Sequence, residues 1–336
     1  MKNVTLVGCG AISIKHIESI KNNKNFNLFG FYDIDKELSS FLSKKYNVKN
    51  YNSFEDIITD NECNFLSVLS PNSVHVSQSL EAIKNKKSVL IEKPISLKSK
   101  DVLEINETKK IHNEDAFCVL QVRLNPTVKI LEKVIAKNLL GNINSVSLIQ
   151  RWQRPLEYFT GWRSNPSVGG GTLFECGIHY IDILQKIFGM PNVVSSKVYS
   201  CKHKHVDIED TIYAILDYGS FGGTLEVTIA SEPTNLECSI SIQGSNGFLK
   251  IGGKALNIIE SYNFLTNGSK KEFEILLKDY LIDVEPNKYG SYQGSCPNHP
   301  ELYSRLITNP MDFDILESYN SIKLIEEIYK KSNIVY

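Results

Sequence analysis

Three groups of residues in this 336-residue sequence have types and spacings that could do chemistry. The first is Gly8-Cys9-Gly10-Ala11-Ile12-Ser13, which directly follows the apolar run 4–7. It has the GxGxxG pattern with Ser in the third place. Gly8 permits a tight turn and Gly10 lets an anion approach the backbone. Ala11 and Ile12 open a helix whose free N–H groups can hold a pyrophosphate. Tyr32-Asp33 ends the next apolar run, 23 residues after Gly10. An acidic residue there can accept hydrogen bonds from ribose hydroxyls. It would also repel a 2′-phosphate, and Ile34 supplies no cation, so the pattern fits NAD better than NADP. The alternative for Asp33 is a cap on the following helix.

The second group is Glu92-Lys93-Pro94, at the end of another strand-like run. Ligands bind at such strand ends in open parallel sheets, and Pro94 disfavours the α region at Lys93. The third is Glu175 and His179, four apart on an expected helix and so on one face. Histidine is suited to taking a proton from a hydroxyl near neutral pH. Asp182 could hold the ring in one tautomer.

The elements that must position these residues change character along the chain. Residues 4–7, 26–32, 65–69, 88–91 and 116–121 are short, nearly continuous apolar runs, as buried parallel strands are. Amphipathic helical stretches lie between them at 11–21, 36–45, 54–58, 74–84 and 98–112. This alternation predicts an α/β Rossmann domain with a parallel doubly wound sheet over residues 1–121. Residues 122–336 read as an α+β domain with a large, mostly antiparallel open sheet. It holds a helix at 128–137, a strand at 143–151 and a helix from Gly169-Gly170-Gly171 to about 188. Strands follow at 193–201, 211–218, 223–230, 237–243 and 248–251. The tail 312–329 reads as a helix with Ile315, Tyr319, Ile322, Ile325 and Ile328 as its apolar stripe.

Further motifs are Ser70-Pro71-Asn72-Ser73-Val74-His75, Trp162-Arg163, and the segment from Gly169-Gly170-Gly171 through Glu175 and His179 to Asp182. With the glycine turn and Glu92-Lys93-Pro94, in this order and spacing, the chain resembles the glucose–fructose oxidoreductase/inositol dehydrogenase (Gfo/Idh/MocA) family over essentially its whole length. The resemblance implies that Lys93 hydrogen-bonds the reacting hydroxyl, next to a peptide bond that is often cis. It implies His179 as the base, with Glu175 completing a triad where Asp is commoner. Glu175 could instead contact substrate or cap neighbouring groups. Ser70, Asn72, His75, Glu92 and Gln121 would lie along the cofactor. Arg123, Trp162, Arg163 and His179 would meet the substrate, with an interdomain salt bridge as the alternative for Arg123.

The implied reaction is hydride transfer between NAD and a secondary alcohol of a sugar. A nucleotide-activated sugar is favoured, of the UDP-sugar or UDP-sugar acid 3-dehydrogenase type in surface-polysaccharide biosynthesis. The segment Tyr289 to His299 is similar to members of that kind, and Arg151, Trp152, Arg154, Tyr158, Trp162 and Arg163 could serve a nucleotide. A free monosaccharide or inositol is the alternative substrate. A non-catalytic NAD-binding regulator is the alternative of another class, set against the presence of both Lys93 and His179. A homodimer or homotetramer through the C-terminal sheet is expected.

Composition bounds the remaining possibilities. The chain is 42% hydrophobic and 22% charged, with a formal net charge of −1. That balance offers no attraction for nucleic acid or an anionic membrane. No run approaches the ~20 apolar residues of a membrane span, and a cytoplasmic location is expected. The 7 cysteines form no CxxC pair and read as reduced thiols, not a disulfide framework. No metal site is expected. His203-Lys204-His205 is the only candidate, and it reads as a solvated turn.

Overall fold

A computed structural model describes residues 1–289 and 292–334. The chain divides into two compact units. The first is built on six strands: β1 (Lys2–Val7), β2 (Phe26–Tyr32), β3 (Lys49–Asn50), β4 (Phe65–Val68), β5 (Ser88–Ile91) and β6 (Ala116–Cys118). All pair in parallel, in the order β3-β2-β1-β4-β5-β6. This is the doubly wound order with a switch point beside β1, where dinucleotides bind. β4 and β5 are buried at every residue, which is why their sequences are continuous apolar runs and do not alternate.

Five helices connect the strands: α1 (Ser13–Lys21), α2 (Lys36–Tyr46), α3 (Phe54–Thr59), α4 (His75–Lys84) and α5 (Ser99–His112). Their ends follow local rules. Asp35 caps α2 by accepting from the N–H groups of Glu37 and Leu38, and Asn47 ends it in the left-handed region. Ser53 and Asp56 form a reciprocal capping box on α3.

Register brings the chemistry to one edge. Tyr32 pairs with Val7, Val7 with Val68, Val68 with Ile91, and Ile91 with Cys118. The residues that follow, including Gly8, Asp33 and Glu92, therefore leave the sheet along a single row at its carboxyl ends.

The second unit carries α6 (Pro126–Ala136) and a seven-stranded sheet: β7 (Ile143–Arg151), β8 (Asn192–Tyr199), β9 (Thr211–Asp217), β10 (Gly222–Thr228), β11 (Glu237–Gly244), β12 (Gly247–Gly252) and β13 (Ile258–Phe264). Its order is β13-β12-β11-β7-β10-β9-β8, antiparallel except for β7 with β10. β9 alternates buried and exposed residues over most of its length, so one face meets the core. On the other face Tyr199, Tyr213 and Ile215 are each about half exposed. The helices α7 (Pro166–Gly169), α8 (Ile178–Phe188) and α9 (Asn267–Tyr280) belong to this unit.

The boundary differs from a single cut at 121/122. The first unit is Met1–Leu120 with His299–Ile322, and the second is Gln121–Asn298 with Lys323–Tyr336. The helix α10 (His299–Thr308) thus packs on the Rossmann unit, where Tyr303 meets Phe26 edge-on at 5.0 Å between ring centroids. The expected tail helix is also shorter than 312–329. Two 3₁₀ turns, Pro310–Phe313 and Ile315–Ser318, precede α11 (Tyr319–Lys331). The Asp314 side chain caps the second turn through Leu316 N–H, which resets the backbone before α11 begins. No helix among the described residues is long and apolar enough to cross a membrane.

Candidate active site

The glycine turn keeps its backbone open. Gly8 holds φ +104°, and a Cβ there would lie 2.7 Å from the carbonyl of Leu69, so only glycine fits. A Cβ on Gly10 would meet nothing within 4 Å, which leaves open space beside the backbone. No side chain caps the start of α1, so the orphan amides of its first turn have no side-chain partner there. Asp33 is not the cap of α2, since Asp35 does that. Its carboxylate accepts from Cys9 N–H at 2.7 Å and from Asp35 N–H at 2.9 Å. Two backbone amides thus fix it at the mouth of the turn. Lys36 places its Nζ 3.1 Å from the carbonyl oxygen of Asp33 and 2.6 Å from that of Asn52, a cation near this strand end that the sequence reading did not weigh.

The loops after β4 and β5 are tied together by His75. This 1% exposed ring has Nδ1 2.8 Å from Pro94 O and Nε2 2.7 Å from Ser70 O. Both acceptors are carbonyls, so the two bonds coexist only when both nitrogens carry protons. Ser70 Oγ donates to Gln78 at 2.5 Å, and Asn72 is buried in the same loop. The Lys93-Pro94 peptide is cis, and Lys93 is half-buried. Glu92 turns its carboxylate inward, where His16 Nε2 lies 3.2 Å from Oε1 and Lys93 N–H donates to Oε2 at 3.1 Å. Its side chain is therefore engaged inside the unit, which leaves its backbone as the part open to a cofactor role.

In the second unit the helix bearing His179 starts with a π turn, Leu173–Gly177, before α8. Such wide turns recur at functional sites. Its entry is well anchored. Thr172 N–H donates to Glu209 Oε1 at 2.7 Å, Leu173 N–H donates to Tyr329 OH at 3.0 Å, and Tyr329 OH donates to Glu209 at 2.6 Å. His179 is 6% exposed, edge-on to Tyr180. Glu175 Oε2 accepts from Arg163 Nε at 3.1 Å and from Tyr158 OH at 3.3 Å. Glu175 thus organises the loop in front of the helix.

Arg123 and Asp182 form a pair that the sequence did not announce. Arg123 Nε and Nη2 each lie 2.7 Å from an oxygen of Asp182 in a buried bidentate pair within the second unit. This pair joins Arg123 to the helix that bears His179. Gln121 donates to Ser295 Oγ at 3.3 Å and is 4% exposed.

The residues 151–163 do not act as one group. Arg151 pairs with Glu226 across the sheet at 2.5 and 2.7 Å. The remainder forms an alternating column. The guanidinium of Arg154 lies 4.7 Å from the ring centroid of Trp152 and 5.5 Å from that of Tyr158, and Arg163 lies 5.3 Å from Tyr158 and 4.3 Å from Trp162. Trp152 and Arg154 are buried, so the outer end is Trp162 with Arg163, the latter 38% exposed. A Cβ on Gly169 would lie 2.9 Å from Arg163 O, so glycine is what lets the two loops touch. Within the expected Tyr289–His299 segment, Gly290 and Ser291 lie outside the described residues.

His203 is fully buried, not in a solvated turn, with Nδ1 3.3 Å from Asp210 and Nε2 3.2 Å from Pro155 O. A cluster that sequence spacing could not reveal is His16, Glu92 and His299, brought together inside the first unit.

Comparison with known proteins gives a consistent result. Residues 2–120 match an oxidoreductase family with an NAD-binding Rossmann fold, and residues 128–250 match the GFO/IDH/MocA C-terminal domain. Glucose-6-phosphate 3-dehydrogenase of Bacillus subtilis is 28% identical over 244 residues, 71% of this chain and 69% of that protein. An NADP-linked scyllo-inositol 2-dehydrogenase of the same organism, IolW, is 27% identical over 51% of this chain and 49% of its own length. The crystal structure of the WlbA dehydrogenase from Bordetella pertussis, in complex with NADH and UDP-GlcNAcA, superposes with a TM-score of 0.87 at 25% identity, over 99% of this chain and 95% of that one.

Proposed function

The chain belongs to the Gfo/Idh/MocA family of oxidoreductases, and on that premise we propose that it oxidises a secondary alcohol of a nucleotide-activated sugar with NAD. The observation that carries the nucleotide-sugar reading is the column ending in Trp162 and Arg163. It places an indole ring and a partly exposed guanidinium, whose Nε is already given to Glu175, at one place. The likeness to WlbA, whose structure holds UDP-GlcNAcA, supports the same choice.

NAD, when bound, accepts the hydride, and the protein supplies orientation and electrostatics. Gly8, Gly10, Ala11 and Ile12 hold the pyrophosphate. Asp33 takes the adenosine ribose, and its charge disfavours a 2′-phosphate. Ser70, Asn72, His75 and Gln121 line the nicotinamide half. His179 removes the hydroxyl proton, and Lys93 stabilises the oxygen that this leaves charged. Glu175 holds Arg163 and Tyr158 in place beside the base. The open face of the second sheet, with Tyr199, Tyr213 and Ile215, is the surface through which copies associate.

A screen of UDP-sugars, sugar phosphates and free sugars, each with NAD and with NADP, tests the reading through the absorbance of the reduced cofactor. Turnover confined to UDP-sugars with NAD is expected. Turnover confined to free sugars rejects the nucleotide. Turnover confined to sugar phosphates favours the second reading, a sugar-phosphate dehydrogenase, which the 28% identity to glucose-6-phosphate 3-dehydrogenase supports.

A further inference from the structure

Behind the carboxyl edge of the first sheet lies a cluster that the dehydrogenase reading does not use. His16 comes from α1, Glu92 follows β5, and His299 opens α10. Both imidazoles are 0% exposed and Glu92 is 8% exposed. A single oxygen, Glu92 Oε1, lies 3.2 Å from His16 Nε2 and 3.5 Å from His299 Nε2. One potential ligand atom from each residue falls within 4.8 Å of the other two.

His299 is the anomaly. Neither of its ring nitrogens has a hydrogen-bond partner among the described residues, although the side chain is fully buried. An imidazole always carries at least one N–H, and burying its polar atoms unsatisfied is costly. Its Nε2 points toward a carboxylate oxygen that already faces a second imidazole. A cation held by Nε2 of both imidazoles and by Glu92 Oε1 satisfies the Nε2 side of His299 and leaves its N–H on Nδ1.

The spacing suits a metal ion. Zinc bonds of about 2.0–2.1 Å to nitrogen and oxygen, in tetrahedral geometry, separate neighbouring ligand atoms by about 3.3 Å. The two separations from Glu92 Oε1, 3.2 and 3.5 Å, bracket that value, and the two imidazole nitrogens lie within 4.8 Å of each other. The far side of two ligands is already oriented. Tyr303 OH lies 2.9 Å from His16 Nδ1 and is itself 2.8 Å from Ser67 Oγ. Lys93 N–H donates to Glu92 Oε2 at 3.1 Å. Partners of this kind fix the tautomer and direction of metal ligands.

We propose that His16, Glu92 and His299 bind a divalent transition metal, zinc foremost, with a water in the fourth position. The site joins the helix after the glycine turn, the residue before Lys93 and a helix from the far end of the chain. Its role is to hold these three elements together, and it is independent of the sugar assignment.

The test begins with the full chain, expressed with added zinc and purified without chelator. Elemental analysis is expected to find about one zinc per chain. Removal by dipicolinate should lower the melting temperature, and zinc at roughly a hundredfold excess over Kd should restore it by several degrees. Cobalt(II) added to stripped protein should give the intense visible bands of a tetrahedral site. His299→Gln and His16→Gln should each lose most of the metal. A wild-type protein that holds no zinc, gains no stability from it and gives no cobalt spectrum overturns the proposal. So does a His299→Gln protein with undiminished zinc. If either variant fails to fold, the wild-type zinc content and cobalt spectrum still decide.

Discussion

Arg123 and Asp182 form two parallel hydrogen bonds of 2.7 Å each, with side chains only 4% and 2% exposed. The pair sets the rotation of α8 three residues beyond His179. A buried charge left alone is expensive, so Arg123→Ala or Asp182→Ala should each destabilise the protein by about 3–5 kcal/mol. Replacing both by apolar residues of similar size should recover much of that loss. Denaturant melts of the four proteins measure it. Additive single and double losses would show that the two residues are not coupled.

Lys93→Ala and His179→Ala should both retain NAD binding and lose turnover by about 10²–10⁴-fold, the usual contribution of a positioned acid or base. Dinucleotide binding by calorimetry, alongside steady-state rates on the substrate found in the screen, separates the two effects. A fully active double variant rejects both assignments.

Asp33 should decide between dinucleotides. Asp33→Ala removes the proposed ribose acceptor and also releases the amides of Cys9 and Asp35. NAD affinity should fall by roughly tenfold, a loss of about 1.4 kcal/mol, and NADP should gain relative to NAD. Fluorescence titration with NADH and NADPH reads both. An unchanged preference removes Asp33 from that role.

Asp210 makes the second unit sensitive to acid. Burial pushes its carboxyl up, but His203 and the N–H groups of Cys201, His203 and Lys202 outweigh this and hold it well below its ordinary 3.8. A carboxyl depressed on folding stabilises fully above its unfolded value and loses that contribution as pH falls through the folded one. Stability should therefore decline from about pH 4 downward. Asp210→Asn should melt lower at pH 7 and show a shallower decline below pH 4. An identical pH profile in the variant would exclude this carboxylate.

Cys201 is exposed, whereas Cys9, Cys63, Cys118, Cys176, Cys238 and Cys296 are buried. The Cys9 thiol is pushed up to about 12 by burial and then by Asp33 and Asp35. A native-state thiol titration at pH 8 should thus show one fast sulfhydryl, absent in Cys201→Ser. Two or more fast thiols would contradict this burial pattern.

The first unit was legible because buried parallel strands are written as continuous apolar runs, and because Gly8, Asp33 and Lys93 follow strand ends directly. β13 and α9 were missed for the opposite reason. β13 buries only Phe264 and α9 only Phe273 and Leu276, so neither carries a strong apolar stripe. The π turn at Leu173–Gly177 has the same apolar texture as an α-helix, and one widened turn leaves no mark in composition. The pairing of Arg123 with Asp182 was not legible because the partner lies 59 residues away and no local pattern announces it. His16, Glu92 and His299 come from three separate elements, and only the packing of α10 against the Rossmann unit brings them together.

The return of residues His299–Ile322 to the first unit also sets an order of events during synthesis. On the ribosome, Met1–Leu120 emerges early but lacks the helix that packs on its α1. At about 5–20 residues per second, the missing segment arrives roughly 10–40 seconds later, after nearly all of the second unit has been made. The dinucleotide half is thus the first to be translated and among the last to be completed. A gene fragment cut at residue 120 would reproduce the nascent intermediate, not the finished unit.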